Sequence, residues 1–232
     1  MIQLKRYNDG SDGVGEWNFE LNLQIPIEYS LQGLEEWRQK VVTVAAALSV
    51  RNFFQFETLR VERWCRIGSH ATQEFIALQR LIPSDLLLNA KVNGEGQTVF
   101  SLPEKEGLWF PVFAVMEGQT HVKFPDHEVL VDGLASVRVL CAGILAFTLV
   151  VDCDVYLDYD LLGKEQPALA ALNHPILEEA IGGLATVLGV DPYAENTKYA
   201  AVTDKGMQSL FEEEGMDELI GAPESWIRRA WN

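Results

Sequence analysis

Cysteine is scarce in this chain: Cys65, Cys141 and Cys153 make an odd number, scattered through apolar surroundings. No two have metal-ligand spacing and they form no disulfide framework, so they read as buried thiols in a reducing compartment. Long apolar runs are missing too. The longest uncharged stretch, between Arg138 and Asp152, has thirteen residues, short of the roughly 20 that a membrane-spanning helix needs. The opening Met-Ile-Gln-Leu-Lys-Arg-Tyr lacks the apolar core of a signal peptide, so the expected location is cytoplasmic, with no membrane partner.

Catalytic signatures are equally sparse. There is no Gly-x-Ser-x-Gly elbow and no His-Glu-x-x-His zinc helix, which leaves nucleophilic and zinc hydrolysis without local support. Gly10, Gly13 and Gly15 precede a strand rather than opening a helix, so they do not make a phosphate cradle; a hairpin loop is the simpler reading. His70 and His174 read as capping or surface residues. His121, Asp126, His127 and Glu128 flank a turn at Pro125, and read as turn residues before a transition-metal set.

Positive charge is the largest shortage. Eighteen Lys and Arg face thirty-four Asp and Glu, a formal charge of -16, which repels phosphates and favours basic partners. Direct nucleic-acid binding is therefore not expected. The asymmetry is regional: residues 1–100 carry 10 basic and 12 acidic residues, whereas residues 101–232 carry 8 and 22.

What is present is an ordinary globular composition, 48% apolar and 22% charged over 232 residues, enough to bury a substantial core. The expected fold is α+β: a mixed or mainly antiparallel sheet with packed helices and a helical C-terminal region. It is read as one domain over 1–232, with a weak subdomain boundary near 84–96. Ile2–Tyr7 and the alternating Trp17, Phe19, Leu21, Leu23, Ile25 and Ile27 predict an opening β-hairpin. Ser30 caps a helix whose Leu34, Trp37, Val41, Val44, Ala45 and Leu48 recur at helical spacing. Residues 53–67 alternate as a strand, and a second helix is expected over 69–81. Gln97–Leu102 and Leu108–Met116 read as strands, with Glu117–Gly118–Gln119 turning the chain back and Pro111 marking an edge or an irregularity. A short strand is expected at Glu128–Val131. The nearly continuous apolar run 134–147 is read as a buried helix. Pro175 is expected to start a helix ending at Gly189, and Asp204–Glu214 to form an amphipathic one. Trp226, Arg228, Arg229 and Trp231 are a small basic and aromatic exception near the C-terminus.

The most suggestive stretch is Thr148–Asp160. Asp152, Asp154, Asp158 and Asp160 occupy even positions, so an extended segment would set all four carboxylates on one face. Neighbours about 7 Å apart would repel by roughly 0.6 kcal/mol in water and about 2.4 kcal/mol at an effective dielectric of 20. Such a ladder must face solvent, face a basic partner, hold a metal or keep some of its protons. Glu212, Glu213 and Glu214 add a second acidic cluster. The resulting expectation is a non-enzymatic module that binds a basic protein through Asp152, Asp154, Asp158, Asp160, Glu212, Glu213 and Glu214, without cofactor or metal. Its concrete version is an inhibitor or immunity-type protein covering a basic toxin or nuclease. The alternative is a metal-dependent hydrolase or phosphoryl-transfer enzyme using the aspartate ladder. A homo-oligomer built on apolar stripes such as Ile176–Leu188 is a third reading.

Overall fold

The structure is a computed structural model and describes residues 13–21, 29–67, 74–89, 97–102, 105–160, 164–194, 197 and 200–209. Its first strand, β1 (Gly15–Leu21), buries Trp17, Phe19 and Leu21 and turns Asn18 and Glu20 away, as the alternation requires. The other strand of the expected opening hairpin, Ile2–Tyr7, and the end of this one, with Leu23, Ile25 and Ile27, lie outside the described residues. Helix α1 (Leu31–Val50) starts where Ser30 places its Oγ to accept the Gly33 N–H at 3.1 Å, and it buries all six of the apolar positions read from its periodicity.

Strand β2 (Phe54–Arg66) pairs on one side with β3 (Phe75–Pro83). Strand β3 corrects the helix expected over 69–81. A segment with apolar residues at most positions fits either period, and the open edge of β2 decides in favour of pairing. After a short helix α2 (Ser84–Asn89), Gln97–Phe100 forms a 3₁₀ turn in place of the expected strand.

The central strand β4 (Trp109–Lys123) is fifteen residues long and runs straight through the expected turn at Glu117–Gly118–Gln119. Gly118 serves a different purpose. A Cβ there would run into the Gln55 carbonyl of β2, with Glu57 N at 3.1 Å; the glycine lets two backbones approach where the register shifts between Phe56 and Thr58. Pro111 sits within this interior strand, beside a second register shift. Strand β5 (Glu128–Asp132) falls where expected.

Residues 134–147, read as a helix, contain instead β6 (Ala135–Cys141) and the start of β7 (Leu145–Val151), joined by a turn with Gly143 at φ 81°. Ala135, Val137, Val139 and Cys141 point into the core and Ser136 and Arg138 away from it. In β7 the alternation is hidden, because Ala146 and Val150 are buried on the outer face as well.

Helix α3 (Pro167–Leu188) begins eight residues before Pro175, which lies inside it, and ends at Gly189 in the left-handed conformation. The chain closes with β8 (Tyr193–Ala194) and the hairpin of β9 (Ala200–Thr203) and β10 (Gly206–Ser209). This hairpin replaces the first part of the helix expected over 204–214; the remainder lies outside the described residues.

The eight-stranded sheet has the order β3-β2-β4-β6-β7-β1-β8, with β5 also pairing β4, and every pairing is antiparallel. Its register sets two kinds of cross-strand row. Ile82, Leu59, Met116, Val137, Leu149, Trp17 and Ala194 form one row facing the helices, and the first six are buried. Leu81, Arg60, Val115, Arg138, Thr148, Asn18 and Tyr193 form the neighbouring row on the outer face.

Both long helices lie on the inner side. Their seam is closed by Arg51, whose guanidinium lies across Gly183 where any side chain would collide, while its Nη1 donates to Ala47 O at 2.9 Å. Buried Asn173 fastens α3 to β4: its Oδ1 accepts the Lys123 N–H at 2.8 Å and its Nδ2 donates to Lys123 O at 2.9 Å. No helix of the described residues is long and apolar enough to cross a membrane.

Candidate functional site

Strand β7 ends at Val151, and the acidic stretch after it is not extended. Asp152 N–H still bonds Leu134 O at 2.8 Å, but the chain then turns, with Leu157 N–H returning to Asp154 O at 2.9 Å. The reason is apolar: Cys153, Val155, Tyr156 and Leu157 are all buried, and a strand would put Cys153, Val155 and Leu157 on one face but leave Tyr156 on the other, among the aspartates. Tyr156 packs its ring 6.2 Å from that of Phe53. Burial, reinforced by the Cys153 thiol, pushes its phenol well above the usual range.

The shared carboxylate face is thereby lost. Asp154 and Asp160 are buried at 2% and 7% exposure, Asp152 is half-buried, and only Asp158 is exposed. Asp160 is occupied locally, its Oδ1 accepting Lys164 N–H at 2.9 Å. Gln166 braces the same loop from the start of α3: its Nε2 donates to Asp154 O at 2.6 Å and Leu157 O at 3.1 Å, and its N–H to Asp158 O at 2.6 Å. These two buried carboxylates are built into a loop that anchors the helix. Glu212, Glu213 and Glu214 lie outside the described residues.

The same loop and helix nevertheless create an acidic surface that the ladder reading missed. Residues 152–194 contain eight acidic residues and one basic residue, Lys164. Of these acids, Asp158, Glu165, Glu178, Glu179 and Asp191 are exposed. Asp158 and Glu165 sit at the start of α3, Glu178 and Glu179 on its solvent side, and Asp191 just past its end. At 1.5 Å per residue the strip follows a helix of about 33 Å. The sequence signal was available: α3 has no Lys or Arg, and its paired glutamates interrupt the apolar stripe. That stripe itself, from Ile176 to Leu188, is spent in the core.

The arginines of the outer sheet face are differently placed. Arg60 pairs with Glu62 and with Glu117, the latter at 2.7 Å, and Arg138 pairs with Glu16 at 3.2 Å. Opposite charges are matched there, whereas along α3 one sign dominates.

His121 and His127 form two separate pairs with carboxylates. His121 Nδ1 lies 2.8 Å from Glu128 Oε1, and His127 Nδ1 lies 2.6 Å from Asp126 Oδ1 while its ring stacks on Phe124. The hydrogen bond from His127 holds the Asp126 carboxyl below its ordinary range. Among the described residues no three His, Cys, Asp or Glu side chains gather as a metal site. All three cysteines are buried free thiols; burial pushes Cys141 up to about 12 and also raises Cys65. A raised thiol pKa lowers the thiolate fraction on which nucleophilic reactivity depends.

Compared with known proteins, the chain matches no family model, no curated protein and no solved structure.

Proposed function

We propose that the protein is a binding module for a basic protein partner, with the exposed carboxylates along α3 as its contact surface. One observation carries this reading: Asp158, Glu165, Glu178, Glu179 and Asp191 are exposed within a segment whose only basic residue is Lys164. Carboxylates that outnumber the cations around them project a field that attracts a basic surface and speeds its encounter. A partner with a basic cleft, such as a toxin or nuclease held in check by an inhibitor of the immunity type, has the complementary charge.

The test is recovery of the partner from native lysate, followed by stopped-flow association at several salt concentrations. Glu178→Lys with Glu179→Lys changes the balance of residues 152–194 from -7 to -3. It should lower the association rate about tenfold or more at low salt. Glu20→Lys, at an exposed position of the outer sheet face, should have a much smaller effect. A partner whose association rate ignores both salt and the α3 reversal would sink the proposal.

A further inference from the structure

Strand β3 closes one end of the sheet and pairs only with β2 among the described residues. Edge strands are normally protected by lysines, by other charges or by a covering element, since their free backbone groups invite another strand. Along β3 there is no Lys, Asp or Glu. Its one charged residue, Arg80, turns back to Ser101 O. Among the described residues, a bulge opposite Val61–Arg63 and the terminal Pro83 are its only guards.

Exposed apolar side chains concentrate at this edge. Phe75 (52%), Leu78 (38%) and Leu81 (57%) on β3, with Leu86 (52%) and Leu88 (46%) on α2, account for five of the eleven large hydrophobic residues exposed among the described residues. All five fall between positions 75 and 88.

We infer that this edge is a self-association surface, on which β3 and α2 of a second copy pack about a twofold axis. Charge selects the second copy. Two chains of -16 repel over most of their surfaces, but residues 54–89, which include β3 and α2, carry four basic and four acidic residues, a balance of zero. Here two copies can meet without net charge on either side, since Arg80 on β3 offsets Asp85 on α2. A basic partner gains nothing from the same patch. Area sets the strength: β3 and α2 supply fifteen residues, Phe75 to Asn89, against about 20–30 a side in a standard interface. The dimer is therefore weak and reversible. The bulge interrupts a continuous ladder, so the leucines contribute more than backbone pairing.

Sedimentation velocity of the full chain from about 1 μM to about 200 μM, which brackets weak association, tests this. The expected result is a concentration-dependent dimer that tightens with salt, because screening removes the repulsion between like-charged copies. Leu81→Lys and Leu86→Lys should each weaken it about tenfold or more, while Glu178→Lys should not. Both leucines are exposed, so the variants should fold; melting curves check this, and either variant suffices. A monomer throughout, a dimer indifferent to both leucine changes, or one that salt dissociates would each overturn the inference.

Discussion

Gly118→Ala should be among the most damaging single-methyl changes in this protein. The added Cβ would occupy the position of the Gln55 carbonyl, with Gln55 C at 2.9 Å and Glu57 N at 3.1 Å. These atoms are backbone in a paired strand, so they cannot swing aside as a side-chain end would. Strands β2 and β4 must separate locally, losing two or three ladder hydrogen bonds at a net contribution of roughly 1 kcal/mol each. The packing of Phe54 and Met116 beside the gap would loosen as well. A loss of about 3 kcal/mol follows, a large part of the 5–15 kcal/mol that holds a typical domain. Gly182→Ala is the control: nothing lies within 4 Å of its Cβ position, and it is exposed in α3. Replacing a helical glycine there should stabilise by up to about 1 kcal/mol. Urea unfolding followed by tryptophan fluorescence reads both, since Trp17, Trp37, Trp64 and Trp109 are buried reporters. If Gly118→Ala cost less than about 1 kcal/mol, the close approach would not be the reason for glycine at this position.

Two further outcomes follow from the loop before α3 and from the buried thiol. Asp160→Ala removes the acceptor of Lys164 N–H and should cost about 1–2 kcal/mol, whereas Asp158→Ala, at an exposed position, should stay within about 0.5 kcal/mol; equal losses in urea melts would contradict the division between them. Cys141 has its pKa raised from 9.0 to about 12 by burial, so only the unfolded chain ionises it in that interval. The stabilisation is complete below pH 9 and declines as pH rises towards 12, at about 1.4 kcal/mol per pH unit for this one group. Tyr29, raised to about 12 by burial and then by the Cys141 and Cys65 thiols, adds a similar trend above pH 10. Alkaline urea titrations of Cys141→Ala should show a shallower decline starting at pH 9, and an unchanged slope would remove Cys141 as its source.

Much of the fold was legible where one periodicity dominated. The strand alternation of Trp17, Phe19 and Leu21 and the helical spacing from Leu34 to Leu48 each admit one arrangement that buries the apolar side chains. Within the helices expected over 69–81 and 134–147, residues apolar on both sides fit either period, and only the neighbouring strands decide in favour of β3, β6 and β7. Gly118 looked like a turn because a glycine marks both a bend and a close approach, and sequence does not separate them. The candidate site was read in part: the acidity of the second half was visible, but its location was not.

By itself the sequence determined the excess of carboxylates, the cluster of them between Asp152 and Asp160, and enough apolar residues for a mainly antiparallel α+β core. Tertiary structure alone decided which carboxylates face solvent. A strand would hold Cys153, Val155 and Leu157 on one face but leave Tyr156 among the carboxylates, so the chain turns to bury all four and takes Asp154 and Asp160 with it. The acidic ladder becomes a brace for α3, and the exposed charge passes to Asp158, Glu165, Glu178, Glu179 and Asp191. Burying four neighbouring apolar side chains outweighs keeping four carboxylates in line, and that balance is set by the core they enter rather than by their spacing in the chain.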